Sequence, residues 1–254
     1  MMARKVSSPA GSRLKSSSKV TGAAMAADPS QHAGSDHQRS ACDTPAMDRD
    51  RHQLTTVVVG DKPDGWATAG FTVHDDCIRI GSTTILCDPS VGQGIAAVGI
   101  DGLIDTVDGL PIGLVDAPIT PTAEHHNRVT GFDHLVAMSP SIDRTADALI
   151  DAGLQRRRTR RFEMGGETRR QDFFWLGDVI LELVGVEGVE GARDAAFWGL
   201  ALECDDLDLA ARRLGEGLGT VKDAVQPGRR IATVRTRELG ISVPIALMSP
   251  HHHR

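Results

Sequence analysis

Residues 132–149, FDHLVAMSPSIDRTADAL, and residues 197–214, FWGLALECDDLDLAARRL, follow one layout. Phe132 falls on Phe197, Leu135 on Leu200, Asp143 on Asp208, Ala146 on Ala211 and Leu149 on Leu214. His134 falls on Gly199. An internal repeat constrains a chain strongly, because both copies must adopt one supersecondary unit and bury their apolar faces together. The hydrophobic period gives that unit its elements. FDHLVAMS predicts a strand, and SIDRTADALIDAG predicts a helix with Ser141 as N-cap, Ile142, Ala146, Leu149 and Ile150 on one face, and Gly153 closing it. Three strands follow: LQRRRTRRFE, ETRRQDFFWLG after the Gly165-Gly166 turn, and VILELVG. The order is βαβββ. Residues 196–249 give it again, through AFWGLALEC, the helix DLDLAARRLG, TVKDAVQ, a Pro227-Gly228 turn, RRIATVRTRE and ISVPIALMS. The closing strands superpose Val179 on Val243, Leu181 on Ile245 and Leu183 on Leu247, which sets Glu182 against Ala246.

A fainter copy precedes these. LTTVVVG reads as a strand, DGWATAG as a short helix, and FTVHDDCIRIGSTTILCD with GIAAVGIDG as further strands. AGF at 69–71 echoes AGL at 152–154, and IGSTTILC echoes LGDVILEL, so Leu86 stands where Glu182 stands. The Pro/Gly/Thr-rich segment GLPIGLVDAPITPTAEHHNRVTG reads as a linker and places a boundary near residue 128. The expected organisation is therefore a disordered extension over 1–52, a degenerate module with its linker over 53–128, the paired modules over 129–250, and a tail over 251–254.

The extension differs from the rest in composition. MMARKVSSPAGSRLKSSSKVTGAA carries basic residues and no acid, and Ser, Gly and Ala dominate through Ser40, so no face can bury a core. An acid-poor Ser/Arg segment also fits a transit peptide, and a third reading places the true start at Met25 or Met47. A secretory h-region is missing, and no run approaches the roughly 18 apolar residues that span a bilayer. Cys42, Cys77, Cys87 and Cys204 have no C-x-x-C spacing, which fits free thiols in a reducing cytoplasm. A net charge of −6 argues against nucleic acid as a partner. The expectation is a cytoplasmic monomer or homodimer with a small-molecule ligand, no nucleic acid and no membrane.

The tandem βαβββ modules, with FDHLV opening the first and LELV closing it, resemble the vicinal oxygen chelate (VOC) superfamily, which includes glyoxalase, bleomycin-resistance and extradiol dioxygenase proteins. The resemblance covers residues 131–249 well and 54–103 loosely. It implies an α+β fold in which paired modules curl an eight-stranded, partly open sheet into a cup around a divalent metal, held by residues of each module's first and last strands. His134 and Glu182 match the ligand positions of the first module; Gly199 and Ala246 do not match those of the second. An imidazole and a carboxylate on neighbouring strands can share a cation such as zinc, nickel, manganese or iron, but catalytic sites usually keep three protein ligands. Glu203, His74 and Cys204 are substitutes without a motif behind them. The resemblance implies a glyoxalase-like metal-assisted lyase or isomerase with an incomplete site. The alternative is a metal-free module that sequesters a small molecule, as a bleomycin-resistance protein does, with Trp175 and Trp198 as stacking platforms. A third class, a structural or partner-binding domain, fits the amino-terminal copy.

The run RRRTRR at 156–161 is a further candidate. Strict alternation puts Arg156, Arg158 and Arg160 on one face and Arg157 and Arg161 on the other. Arg158, with Arg170 on the next strand, can hold a carboxylate or phosphate by bidentate hydrogen bonds if that face lines the cup; the favoured alternative is a solvated outer face. GQGIAA at 92–97 mimics a dinucleotide fingerprint but predicts a strand, because Gly99 and Gly102 interrupt the helix that would receive the pyrophosphate. His125-His126 and His251–His253 lie in a linker and a tail, where metal binding would be adventitious.

Overall fold

A computed structural model describes residues 52–251. The readings of 1–51 as disordered, as a transit peptide or as upstream of the true start, and of residues 252–254 as a tail, lie outside the described residues.

The first of the paired modules opens with the fifth strand of the chain. Before it come β1 (Leu54–Val59), α1 (Pro63–Thr68), β2 (Cys77–Ile80), β3 (Thr83–Cys87) and β4 (Ile95–Ile100). The module itself runs β5 (Val129–Met138), α2 (Ile142–Asp151), β6 (Arg156–Met164), β7 (Glu167–Leu176) and β8 (Val179–Val186). The second runs β9 (Ala196–Cys204), α3 (Leu207–Leu214), β10 (Lys222–Asp223), β11 (Arg230–Thr233) and β12 (Ile245–Met248). These two modules build one eight-stranded sheet in the order β10-β11-β12-β9-β5-β8-β7-β6. In each, the closing strand runs parallel to the opening strand, and the modules meet through the antiparallel pair β5/β9. The sheet is open, since β10 and β6 are its two edges.

Local chemistry accounts for the elements. Ile142, Thr145, Ala146 and Leu149 form the buried face of α2, and Gly153 at φ 98° turns the chain out of it in the left-handed region that glycine adopts without strain. In α3 the Asp206 side chain accepts from the Leu209 N–H and caps the first turn, while Leu207 and Ala210 face the core. The second module's strands are shorter than the sequence pattern suggests. Pro244 interrupts the run ISVPIALMS, so β12 starts only at Ile245, because proline cannot donate to a ladder.

The amino-terminal unit is a four-stranded sheet in the order β2-β3-β1-β4. Its β3 lies parallel to β1 with Thr56 opposite Thr84 and Val58 opposite Leu86, the relation β8 has to β5. The copy is degenerate in one definite way: β4 pairs antiparallel on the far side of β1, where β9 stands relative to β5, so no strand among the described residues corresponds to β6. Residues 95–100 are this strand, so GQGIAA opens no helix. Trp66, Val57, Leu135, Phe174, Leu200 and Val243 belong to one continuous apolar cluster that joins both sheets and the helices. Cys77, Cys87 and Cys204 are buried free thiols, and burial pushes Cys87 up to about 12. Cys42 lies outside the described residues. No helix among the described residues is long and apolar enough to cross a membrane.

Candidate functional site

Strand register decides which side chains share the concave face of the eight-stranded sheet. His134 stands opposite Ile180 and Val136 opposite Glu182, so His134 and Glu182 lie on one face, two residues apart along the ladder. Across the modules, Val136 faces Gly199 and His134 faces Ala201, while Ala201 faces Ala246 on β12. This is the register of a pseudo-two-fold that exchanges His134 with Gly199 and Glu182 with Ala246. The equivalence read from the repeat is therefore also the geometric one.

The face lines a cavity of about 330 Å³ whose walls include His134, Glu182, Phe173, Ile180, Ala201 and Met248. Two bulges bring in residues that strict alternation would exclude. Phe132 pairs with Leu202 and His134 with the next residue, Ala201, so Asp133 is an extra residue and its carboxylate joins His134 at the cavity. On β6 the register slips between Arg156 and Arg158, so Arg157, Arg158 and Arg160 all line the cavity. Arg156 turns instead to Asp172, at 3.5 Å. The expected split of Arg156, Arg158 and Arg160 from Arg157 is corrected by that one bulged residue.

The polar centre is a chain of ion pairs. His134 Nδ1 contacts Asp133 Oδ1, and the other Asp133 oxygen accepts from Arg229 Nη2. Arg229 also donates through Nε to the Ser249 carbonyl at 2.7 Å and through Nη1 to Gln226 Oε1 at 2.7 Å, and it contacts His251 Nε2 at 3.0 Å. Asp133, His134 and Arg229 are all buried. Burial opposes charge on Asp133, but the hydrogen bonds and charges of His134 and Arg229 overcome it and hold the carboxyl well below its usual range. Burial also opposes the imidazolium. The Asp133 hydrogen bond, with the charges of Asp133 and Glu182, outweighs it and raises the His134 pKa above its ordinary value. Glu182 accepts a hydrogen bond from Gln171 Nε2, and burial raises its pKa despite His134 and Arg160 nearby.

The second module offers no donor at the matched positions. A Cβ on Gly199 would come 2.8 Å from the Pro244 carbonyl oxygen and 3.3 Å from Pro244 Cβ, so the backbone of the β12 approach already occupies that space. Ala246 is buried in a small apolar cluster with Ala201, Ile231 and Met248. No gap opens on that wall; apolar packing fills it. Among the described residues, no cluster of three or more His, Cys, Asp or Glu is placed to hold a metal ion. Cys204 is buried beside the Asn127 carbonyl, and Glu203 is not among the residues lining the cavity. His125 is buried, accepting from the Thr72 N–H and lying 3.0 Å from the Arg79 carbonyl, so it is a packing residue rather than a loose linker histidine.

The remaining candidates divide. Arg158 lines the cavity with its guanidinium 5.5 Å from the Phe173 ring centre. Arg170 does not line it. Its guanidinium is buried against Asp172 and reaches Asp143 on α2, so this residue fastens helix to sheet from the other side. Trp175 stands opposite Ile180 on the concave side, beyond the lining residues, with Arg157 4.1 Å above its ring. Trp198 is half-buried at a register slip of β9 and is not a lining residue. Asp133, Gln171, Phe173 and Arg229 escaped the sequence reading. The aspartate beside His134 was the visible signal, but alternation assigns it to the opposite face.

No family model matches the sequence, and no curated protein matches it. Solved structures do. A triple mutant of 4-hydroxymandelate synthase from Streptomyces coelicolor superposes with a TM-score of 0.56 at 13% identity, covering 80% of this chain and 93% of that one. A xylose isomerase-like TIM barrel/4-hydroxyphenylpyruvate dioxygenase fusion protein gives 0.52 at 11% identity, covering 80% of this chain and 49% of that one. The chain has the VOC fold. At such identities the likeness concerns backbone, and its VOC cup must be read from its own side chains.

Proposed function

We propose that the VOC cup of this protein binds a small organic molecule without a resident metal. The observation that carries this reading is the buried Asp133–Arg229 ion pair beside His134, facing a wall closed by Pro244, Ile231 and Met248. A metal site of the VOC type draws ligands from both modules. Here the second module contributes a guanidinium, a fixed positive charge that disfavours a divalent cation next to it. The donor set does not fit the metal the fold family implies. What remains is a concave, partly apolar cavity with a few convergent polar groups, the usual form of a small-molecule site. Phe173 and Ile180 supply apolar surface, and Glu182 with Gln171 supplies a hydrogen-bonding floor.

The test is metal analysis of untagged protein with His251–His253 replaced, after incubation with zinc, nickel, manganese or iron(II). Well under one equivalent is expected, and His134→Ala changes nothing. In the same protein a neutral aromatic probe, 2-naphthol, binds saturably, and Ala201→Trp, which fills the cavity, abolishes it. The second reading, a metal-assisted lyase or isomerase, is favoured by the shared face of His134 and Glu182. One equivalent of metal, lost in His134→Ala and weakened in Glu182→Gln, would establish it and overturn the first.

A further inference from the structure

We infer that the rim of the cup is a subsite for a multiply charged anion, the phosphate or diphosphate group of a small ester, gripped by Arg157, Arg158 and Arg160. This rests on the reading of the cup as a small-molecule site and specifies the class of molecule. Three observations carry it.

The first is the bulge in β6. Without it Arg157 would point away from the cavity; with it all three guanidiniums converge on one wall. The second is pairing. Arg128, Arg144, Arg156, Arg161, Arg170, Arg229 and Arg230 each contact a carboxylate. Arg157, Arg158 and Arg160 make no ion pair among the described residues. Arg160 reaches a neutral partner, Gln171 Oε1, at 3.5 Å. The third is support. Each of the three guanidiniums lies over an aromatic ring: Arg157 over Trp175 at 4.1 Å, Arg158 over Phe173 at 5.5 Å and Arg160 over Phe162 at 5.4 Å. A guanidinium over a ring is held in orientation through its face while its N–H edge stays available to oxygen acceptors.

Charge balance selects the ligand class. Asp133 is already balanced by Arg229 and His134, so among the lining residues Glu182 is the acid left to oppose three rim cations. A monocarboxylate would leave the rim positive, whereas a phosphate or diphosphate group brings enough charge, and enough acceptor oxygens, to meet the planar guanidinium forks of more than one arginine. Edge protection is the competing account, because β6 is an outer strand and charged residues guard edges against pairing. It explains why the strand is basic. It does not explain why a bulge turns Arg157 to join Arg158 and Arg160 on the cavity wall, each over an aromatic ring.

Calorimetry on the full chain tests this with pyrophosphate, adenosine diphosphate and acetate as probes. Pyrophosphate is expected to bind saturably and at least tenfold more tightly than acetate, with affinity falling as salt rises. Arg158→Ala and Arg160→Ala each weaken it about tenfold; Arg158→Lys, which keeps the charge and loses the planar fork, weakens it several-fold. Adenosine diphosphate exceeding pyrophosphate identifies an ester whose organic part enters the cup, and equality identifies the phosphate group alone as the determinant; both support the subsite. Non-saturable pyrophosphate binding, or unchanged affinity in Arg158→Ala and Arg158→Lys, overturns it and leaves edge protection. The two proposals separate cleanly. If 2-naphthol binds and pyrophosphate does not, the subsite fails and the cup stands; if neither binds, both fail.

Discussion

The two walls of the cup share a backbone and differ in what they carry. On the first wall His134 and Glu182 face the cavity with Asp133 and three arginines; on the second the matched positions are Gly199 and Ala246, packed against Pro244, Ile231 and Met248. The residues that face the other way hardly differ: Leu135 and Leu200, Leu181 and Ile245, Leu183 and Leu247 are all buried in the common core. Core-facing positions keep their character because each must fill the space between sheet and helices, and volume changes there are costly. Cavity-facing positions need not fill that common core, so the second wall packs small apolar residues where the first carries polar ones while the fold persists. The amino-terminal sheet extends the comparison, with Thr56 and Leu86 at the places of His134 and Glu182.

Breaking the ionic link between the walls should have the largest effect. Arg229→Met leaves Asp133 buried beside His134 without its second cation, which costs about 3–5 kcal/mol. Arg170→Ala leaves buried Asp172 with Arg156 at 3.5 Å and the Thr159 hydroxyl at 2.6 Å and should cost less, about 1–3 kcal/mol; denaturant unfolding of each variant measures both. A midpoint within error of the parent for Arg229→Met would mean the walls are not joined through this pair.

Restoring the absent ligand should come next. Gly199→His forces a Cβ toward the Pro244 carbonyl and is expected to destabilise by about 1–3 kcal/mol without creating a metal site. Stoichiometric zinc binding by this variant, read by metal analysis, would show that the second wall is more open than its packing implies.

A pH series probes the charged wall alone. The folded-state pKa of His134 lies above its unfolded value near 6.5, because Asp133 and Glu182 outweigh the cost of burial. Its stabilisation is therefore complete below pH 6.5 and is lost as pH rises through the folded value, with a slope of at most about 1.4 kcal/mol per pH unit for one proton. Urea unfolding from pH 6 to pH 9 should show this decline, and His134→Gln should flatten it. An equal slope in the variant would place the titration elsewhere. The smallest effect belongs to the rim: Arg158→Ala should change stability by less than about 0.5 kcal/mol, since its side chain is exposed and unpaired by any acid among the described residues. The contrast with Arg170 separates an arginine that faces the cavity from one that fastens α2.

The repeat by itself determined the βαβββ order, the pairing of His134 with Gly199 and of Glu182 with Ala246, and the Ile142, Ala146 and Leu149 face of α2, though not Ile150, which is exposed; periodicity and spacing along the chain encode local structure and most of which side of it is buried. Tertiary structure decided the rest. The bulges at Asp133 and Arg157 depend on how each strand meets its neighbour, and each turns a side chain that alternation assigns to the opposite face. Arg229 reaches Asp133 across 96 residues of chain, and Arg170 finds Asp143 on a helix that only folding brings beside it. The walls of the cup are composed of contacts between residues distant in sequence, and the free energy that fixes those contacts comes from strand pairing and burial that no local pattern records.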